Sequence, residues 1–171
     1  MTPLVPRLIV LSGRPGVGKS AIARAVSEEL AAVWLRVDTI EAGLLRAGIP
    51  RSFETGLAAY VVAQDLAEEN LRLGRTVVID AVNGVEPARQ MWRDLARKRP
   101  VKLRFIEVVC SDQAEHRRRV EARTQTSSPL PAPSWEEVLQ REYLPWSDPL
   151  LSVDAVEPVE RNVSRILDYC K

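Results

Sequence analysis

Residues 13–20 read Gly-Arg-Pro-Gly-Val-Gly-Lys-Ser, the pattern G-x-x-x-x-G-K-[ST], whose chemistry is the capture of a polyphosphate. A loop that wraps backbone N–H groups round a phosphate needs residues that tolerate positive φ and close approach. Gly13, Gly16 and Gly18 supply them, with Arg14, Pro15 and Val17 completing the turn. A helix opening at Lys19 adds unspent N–H donors and a partial positive charge. Lys19 would reach the β- and γ-phosphates, and the Ser20 hydroxyl would ligand Mg²⁺. The plain alternative is an ordinary glycine turn before a helix; the four fixed positions and their strand-loop-helix setting argue against it.

Such a loop works only with a strand behind it and a helix ahead. Arg7–Ser12 is a near-continuous apolar run, and residues 34–37, 76–80, 102–110 and 151–156 read as further strands. Near-continuously apolar strands suit a parallel sheet covered on both faces. Between them, residues 19–32, 56–73, 87–98, 112–123 and 158–169 carry helical spacing, the second stopping at Gly74 and the last having Pro158 in its first turn. Alternation of strand and helix predicts a doubly wound α/β sheet, although periodicity leaves the strand order open. Residues 124–134, TQTSSPLPAPS, interrupt the pattern between two helices with three prolines and many hydroxyls. They predict a mobile loop long enough to have a function. With no internal repeat and no linker, residues 1–171 read as one domain.

Bulk composition excludes several classes. The 24 Lys and Arg against 23 Asp and Glu leave a net charge of +1, which argues against nucleic acid or an anionic membrane as a partner held by bulk charge. Cys110 and Cys170 stand far apart with no C-x-x-C pair, so neither a disulfide framework nor a zinc site assembles from them. No apolar run spans a membrane, and the opening MTPLVPRLIVLSGRPG breaks with proline and glycine where a signal peptide needs continuity. The expectation is a cytoplasmic protein. His116 is the only histidine, so a mechanism needing two is excluded.

Four features occur together: the phosphate loop, Asp38 at the end of the second strand, Gly74-Arg75-Thr76-Val77-Val78-Ile79-Asp80, and an arginine-rich helix with Arg119 and Arg123 four residues apart. In this order the chain resembles, over residues 8–167, the small P-loop kinases that include gluconate kinase and chloramphenicol phosphotransferase. The resemblance implies a five-stranded parallel sheet of the P-loop nucleoside triphosphate hydrolase fold. It also implies ATP and Mg²⁺ as cofactors and a small-molecule hydroxyl as acceptor. Asp38 would then orient the hydroxyl and take its proton at the carboxyl edge of the sheet. Asp80 would hold Mg²⁺ directly or through water. Arg119 and Arg123, with Lys19 and Asp38 the expected catalytic set, would belong to a lid at about 117–134 that neutralises charge on the transferred group. Residues 154–158 would lie near the nucleotide base.

Plainer readings stand beside each of these. Asp38 could cap the next helix, Asp80 could cap a strand end, and the arginine helix could be a solvated face laced by Glu115–Arg119 and Arg117–Glu121 pairs. For His116, Arg117 and Arg118 that solvated face is the better reading. Trp34, Trp92, Trp135 and Trp146 read as core or rim packing, and Cys110 as a small apolar filler. The chain also departs from its relatives. Glu41 stands where many have an arginine three residues after the aspartate, which argues against an acceptor already bearing phosphate, while Arg46 and Arg51 are either cationic contacts or solvated surface. Ala21, counted with the loop, replaces a threonine that commonly contacts the α-phosphate.

Two other classes compete. A hydrolase or GTPase switch lacks support, since there is no Asn-Lys-x-Asp guanine reader and no glycine three residues after Asp80. A regulatory or toxin-like module would bind ATP without useful turnover. Stimulation of ATP consumption by a specific hydroxyl compound separates all three. Oligomeric state and acceptor identity are not legible.

Overall fold

The computed structural model describes residues 5–123 and 130–171. Residues 124–129, part of the segment expected to be a mobile loop, lie outside the described residues.

Strands buried on both faces must be apolar on both, and β1 (Arg7–Ser12) satisfies this with Leu8, Ile9, Val10 and Leu11 all fully buried. β1 lies at the centre of a five-stranded, all-parallel sheet with β2 (Val33–Arg36), β3 (Val77–Asp80), β4 (Lys102–Val109) and β5 (Leu150–Asp154), in the order β2-β3-β1-β4-β5. Alternation of side chains splits the core in two. Leu8, Val10, Val77, Ile79 and Phe105 face one layer, formed by α3 (Phe53–Arg72) and α4 (Glu86–Lys98). Ile9, Leu11, Val78, Ile106 and Val108 face the other, formed by α1 (Lys19–Leu30) and α7 (Val159–Tyr169). On α3 the buried stripe is Thr55, Ala59, Ala63, Ala67 and Leu71 at four-residue steps, its three central alanines packing against the sheet layer.

The doubly wound α/β expectation holds in architecture and strand number. Two details differ. β2 stops at Arg36, and Val37 already opens α2 (Val37–Arg46), a full helix where the sequence showed only a helix-like segment. The helix expected from residue 56 starts at Phe53, because the Ser52 side chain accepts from the Thr55 N–H at 3.1 Å and caps it earlier. α5 (Gln113–Arg123) and a short α6 (Trp135–Gln140) complete the chain, α6 opening on a reciprocal cap between Ser134 and Glu137.

Parallel register carries the site. Asp80 pairs with Leu11 on one side and with Arg36 on the other, so the ends of β1, β2 and β3 align at one carboxyl edge. In an open α/β sheet that edge is where ligands bind.

Candidate active site

The loop leaving β1 has the backbone that a phosphate cradle requires. Gly13, Gly16 and Gly18 hold φ values of 151°, 78° and 111°. Space confirms the choice: a side chain on Gly16 would begin 2.5 Å from Val120 Cγ2, and one on Gly13 would begin 2.3 Å from the Val108 carbonyl. No side chain caps the N-terminus of α1, whereas Ser52 and Ser134 cap α3 and α6. The first N–H groups of α1 therefore stay available to an anion. Lys19 Nζ donates across the loop to the Arg14 carbonyl at 3.1 Å. Burial holds this ammonium below the usual lysine range, Asp80 and Asp38 partly offset the effect, and Arg123 and Arg141 add to it. A phosphate would reverse that balance.

Asp80 is buried at the end of β3, with Arg36 Nε 3.5 Å from its Oδ2. The contact is an ion pair without hydrogen-bond geometry, and Oδ2 has no hydrogen-bond partner. A buried carboxylate oxygen left unspent beside the phosphate loop fits a hydrated divalent cation. Ser20 lines the same cleft, so its hydroxyl and the Asp80 carboxylate are oxygen donors of the kind that would hold Mg²⁺.

Directly after β3, Asn83 fastens the floor of the site. It is fully buried at φ 49°, and its side chain donates to the Ser12 hydroxyl at 3.1 Å and accepts from Trp92 Nε1 at 2.8 Å. Its N–H donates to the Tyr60 hydroxyl at 3.1 Å, and its carbonyl accepts from Arg89 Nε at 2.9 Å. Burial pushes the Tyr60 phenol up to about 12, so it stays neutral. Arg89, buried as well, donates onward to the Leu144 and Pro145 carbonyls and lies 3.7 Å from the Trp146 ring centre. Nothing in the sequence singled out Asn83 or Arg89. Their signal is weak, since a buried asparagine with positive φ and a buried arginine look like surface residues until partners are placed.

Asp38 sits in the first turn of α2, where the cap position is Arg36 and no side chain bonds the free N–H groups. It is not a capping residue. Its carboxylate faces the cleft, with Arg123 Nη2 3.9 Å away. Thr39, Glu41, Ala42 and Arg46 continue the same cleft-lining side of α2 at helical spacing. Burial and the Asp38 charge raise the Glu41 carboxyl above the usual range, against the pull of Arg51 and Arg141.

α5 lies over the phosphate loop and divides the expected lid residues. His116, read from the sequence as solvated, is instead buried: Nε2 donates to the Pro15 carbonyl at 2.8 Å, and the ring meets Trp135 edge-on at 5.0 Å. The His116–Val120 pair at i, i+4 was the available signal, hidden by the surrounding charges. Arg119 donates to the Val17 carbonyl at 2.9 Å and the Ala155 carbonyl at 3.0 Å, and its Nε to Glu115 at 2.7 Å. Hydrogen bonds from Arg118 and from Arg119 hold the Glu115 carboxyl down to about 2. Arg119 thus grips the loop from outside the cleft, while Arg123 lines it. The Glu115–Arg119 and Arg117–Glu121 pairs both form.

Pro15, Gly16, Gly18, Lys19, Ser20, Asp38, Asp80 and Arg123 therefore meet in one cleft of about 460 Å³. Gly13, Arg14 and Val17 shape the loop behind it, with Arg14 donating to the Val138 and Arg141 carbonyls at 2.9 and 2.8 Å. Ala21 is exposed on α1 away from the cleft. Arg36 and Arg141 also line it and were not anticipated.

A parallel α/β sheet with a glycine-lined phosphate loop at the end of its central strand defines a P-loop NTPase-like fold. Residues 8–145 match the model of a family described as an AAA domain, and the chain belongs to that family. No curated protein sequence matches it. Among solved structures, it is similar to a Chloroflexus aurantiacus protein assigned as a kinase, with TM-score 0.80 and 19% identity over 98% of this chain and 100% of that one. It is also similar to a gluconokinase from Sinorhizobium meliloti 1021, with TM-score 0.67 and 18% identity over 96% and 95%. A third is the Mycobacterium tuberculosis APS kinase in complex with AMPPNP and APS, with TM-score 0.71 and 17% identity over 97% and 98%. At these identities the likeness is one of fold. Among the described residues no helix is long and apolar enough to cross a membrane.

Proposed function

We propose that this protein is an ATP-dependent phosphotransferase that moves the γ-phosphoryl group of ATP to a hydroxyl of a small molecule. The observation that carries the reading is the meeting, in one cleft, of an uncapped phosphate loop with a carboxylate, Asp38, that has no capping duty. The acceptor hydroxyl oxygen attacks the γ-phosphorus, the bond from that phosphorus to the β–γ bridging oxygen breaks, and ADP leaves. Asp38 orients the hydroxyl and receives its proton. Lys19 and the N–H groups of the loop bind the β- and γ-phosphates, and Arg123 meets charge on the group in transit. Arg119 is a positioning residue, holding the Val17 and Ala155 carbonyls and with them the loop's shape. Ser20 and Asp80 would hold Mg²⁺, which when bound neutralises charge on the β- and γ-oxygens.

The reading takes residues 1–171 as one kinase domain, with a lid at about 117–134, working in the cytoplasm with Cys110 and Cys170 as free thiols. The test is a screen of ATP consumption against sugars, nucleosides, amino acids and antibiotics, with mass detection of a phosphorylated product. ATP consumption that no hydroxyl compound stimulates would move the protein to the hydrolase or regulatory class.

A further inference from the structure

The acceptor end of the cleft is basic in an unusual way. Among the described residues, six cations line the cleft, Lys19, Arg36, Arg46, Arg51, Arg123 and Arg141, against three carboxylates, Asp38, Glu41 and Asp80. Arg36 is matched to Asp80 and Arg123 to Asp38, and Lys19 belongs to the phosphate loop. Among the described residues Arg46, Arg51 and Arg141 have no carboxylate within ion-pair distance, and Glu41 feels the last two only through space. Exposed arginines elsewhere divide: Arg24, Arg97, Arg117, Arg118 and Arg161 each have an acidic partner within 4 Å, whereas Arg72, Arg75 and Arg165 have none among the described residues. What sets Arg46, Arg51 and Arg141 apart is that all three line one cavity, where clustered guanidinium groups focus a positive potential.

Their placement gives the potential a direction. Arg46 ends α2 on the side that carries Asp38 and Ala42, its Nη2 3.7 Å from where a side chain on Gly43 would begin. Arg51 stands just before Ser52, the cap of α3, so one arginine from the end of α2 and one from the start of α3 line the cleft together with Asp38. Arg141 follows α6 and lines the same cleft, close enough to act electrostatically on both Lys19 and Glu41. Guanidinium forks recognise carboxylates and phosphates through paired N–H donors.

We infer that the acceptor carries an anionic group of its own, a carboxylate or a phosphate, held by Arg46 and Arg51 while Asp38 holds its hydroxyl. This rests on the phosphotransferase reading and narrows it to acidic acceptors. It also revises the weight given to Glu41: one acidic residue at that position is outnumbered by the arginines that share its cavity.

The test fills the phosphate loop first. Protein saturated with AMPPNP and Mg²⁺ is titrated calorimetrically with sulfate, which mimics a phosphoryl group, and with malonate, which presents carboxylates. The expected result is saturable binding of at least one anion that weakens roughly ten-fold or more in the double variant Arg46→Ala/Arg51→Ala, with AMPPNP affinity unchanged. The tighter anion names the acceptor's charged group. Both arginines are exposed, so the variant retains its core, and circular dichroism with thermal unfolding checks this. Failure of both anions to bind, or equal binding by the double variant, overturns the inference. Arginine-dependent anion binding in a protein that phosphorylates nothing would count against the kinase reading and leave the anion site standing.

Discussion

His116 donates from Nε2 to the carbonyl of Pro15 at 2.8 Å, joining α5 to the phosphate loop across a hundred residues of sequence. The two segments are one mechanical unit, since Val120 fills the space beside Gly16 and Arg119 holds the Val17 carbonyl. His116→Phe keeps a ring for Trp135 but leaves a buried carbonyl without its donor, at about 1 to 3 kcal/mol. Urea unfolding should show that loss, and ATP affinity should fall with it because the loop is no longer held. An ATP affinity equal to the parent's would mean the loop keeps its shape unaided.

Lys19 is a buried cation waiting for an anion, and its replacement separates fold from function. Between its lowered folded value and the ordinary 10.5, the unfolded chain binds more protons than the folded one, so this residue makes stability rise with pH. Lys19→Met removes the desolvation cost. The nucleotide-free variant should melt higher than the parent, with a flatter alkaline stability profile, while phosphoryl transfer drops by roughly 100-fold or more. Calorimetric melting across pH 7 to 10, paired with a product assay, checks both halves.

Arg119 and Arg123 share a helix and, from spacing alone, a role. Their surroundings divide them. Arg119→Ala releases two backbone carbonyls and should act mainly on ATP affinity and stability. Arg123→Ala should leave ATP affinity within a few-fold and lower kcat by roughly 10³-fold, in the range of an arginine that meets transition-state charge. Steady-state kinetics on the two variants decide the matter, and equal kcat losses would return them to a single role.

This division shows what sequence could and could not deliver. The phosphate loop, its strand and its helix were legible because local rules coincide there: glycines where φ is positive, an apolar run behind, helical spacing ahead. The same held for the end of β3, which placed Asp80 at the sheet edge, whereas β2 stops at Arg36 and Asp38 belongs to the first turn of α2. His116, Asn83 and Arg89 were not legible, because each is a polar residue whose burial depends on a partner 56 to 101 residues away for the longest contacts. Glu41, Arg46 and Arg51 were visible as charges, but the common side of Glu41 and Arg46 followed only once α2 was known to be a full helix, and Arg51 joins them from the turn before α3.

Glu41 offers a pH handle on the acceptor end. Burial and Asp38 raise its carboxyl above the ordinary value of 4.5, so the folded protein holds the proton longer than the unfolded chain. Its contribution to stability is present below 4.5 and is lost as pH rises through the folded value. Ionised Glu41 also opposes an anion at Arg51. Glu41→Gln should therefore tighten sulfate binding to the AMPPNP-loaded protein several-fold at pH 8 and leave it nearly unchanged at pH 4, where both side chains are neutral. Sulfate keeps its charge over that range, so a pH-independent effect would place Glu41 away from the anion.

In the proposed reaction Asp38 takes the hydroxyl proton, and its position makes the test clean. Because it neither caps α2 nor bonds a backbone donor, Asp38→Asn should change thermal stability little. Asparagine keeps the size and most of the hydrogen-bonding capacity yet cannot accept the hydroxyl proton. The ion-pair partner Arg123 loses one acidic neighbour at 3.9 Å, a long and half-exposed contact of small energy. ATP affinity should stay within a few-fold of the parent while transfer to the acceptor falls by roughly 10²-fold or more. The comparison of nucleotide titration with product formation reads both quantities on one preparation. Transfer at the parental rate would remove Asp38 as the base. Loss of ATP binding would assign the carboxylate to the Mg²⁺ side of the cleft, beside Asp80, and leave the hydroxyl to another acceptor of protons.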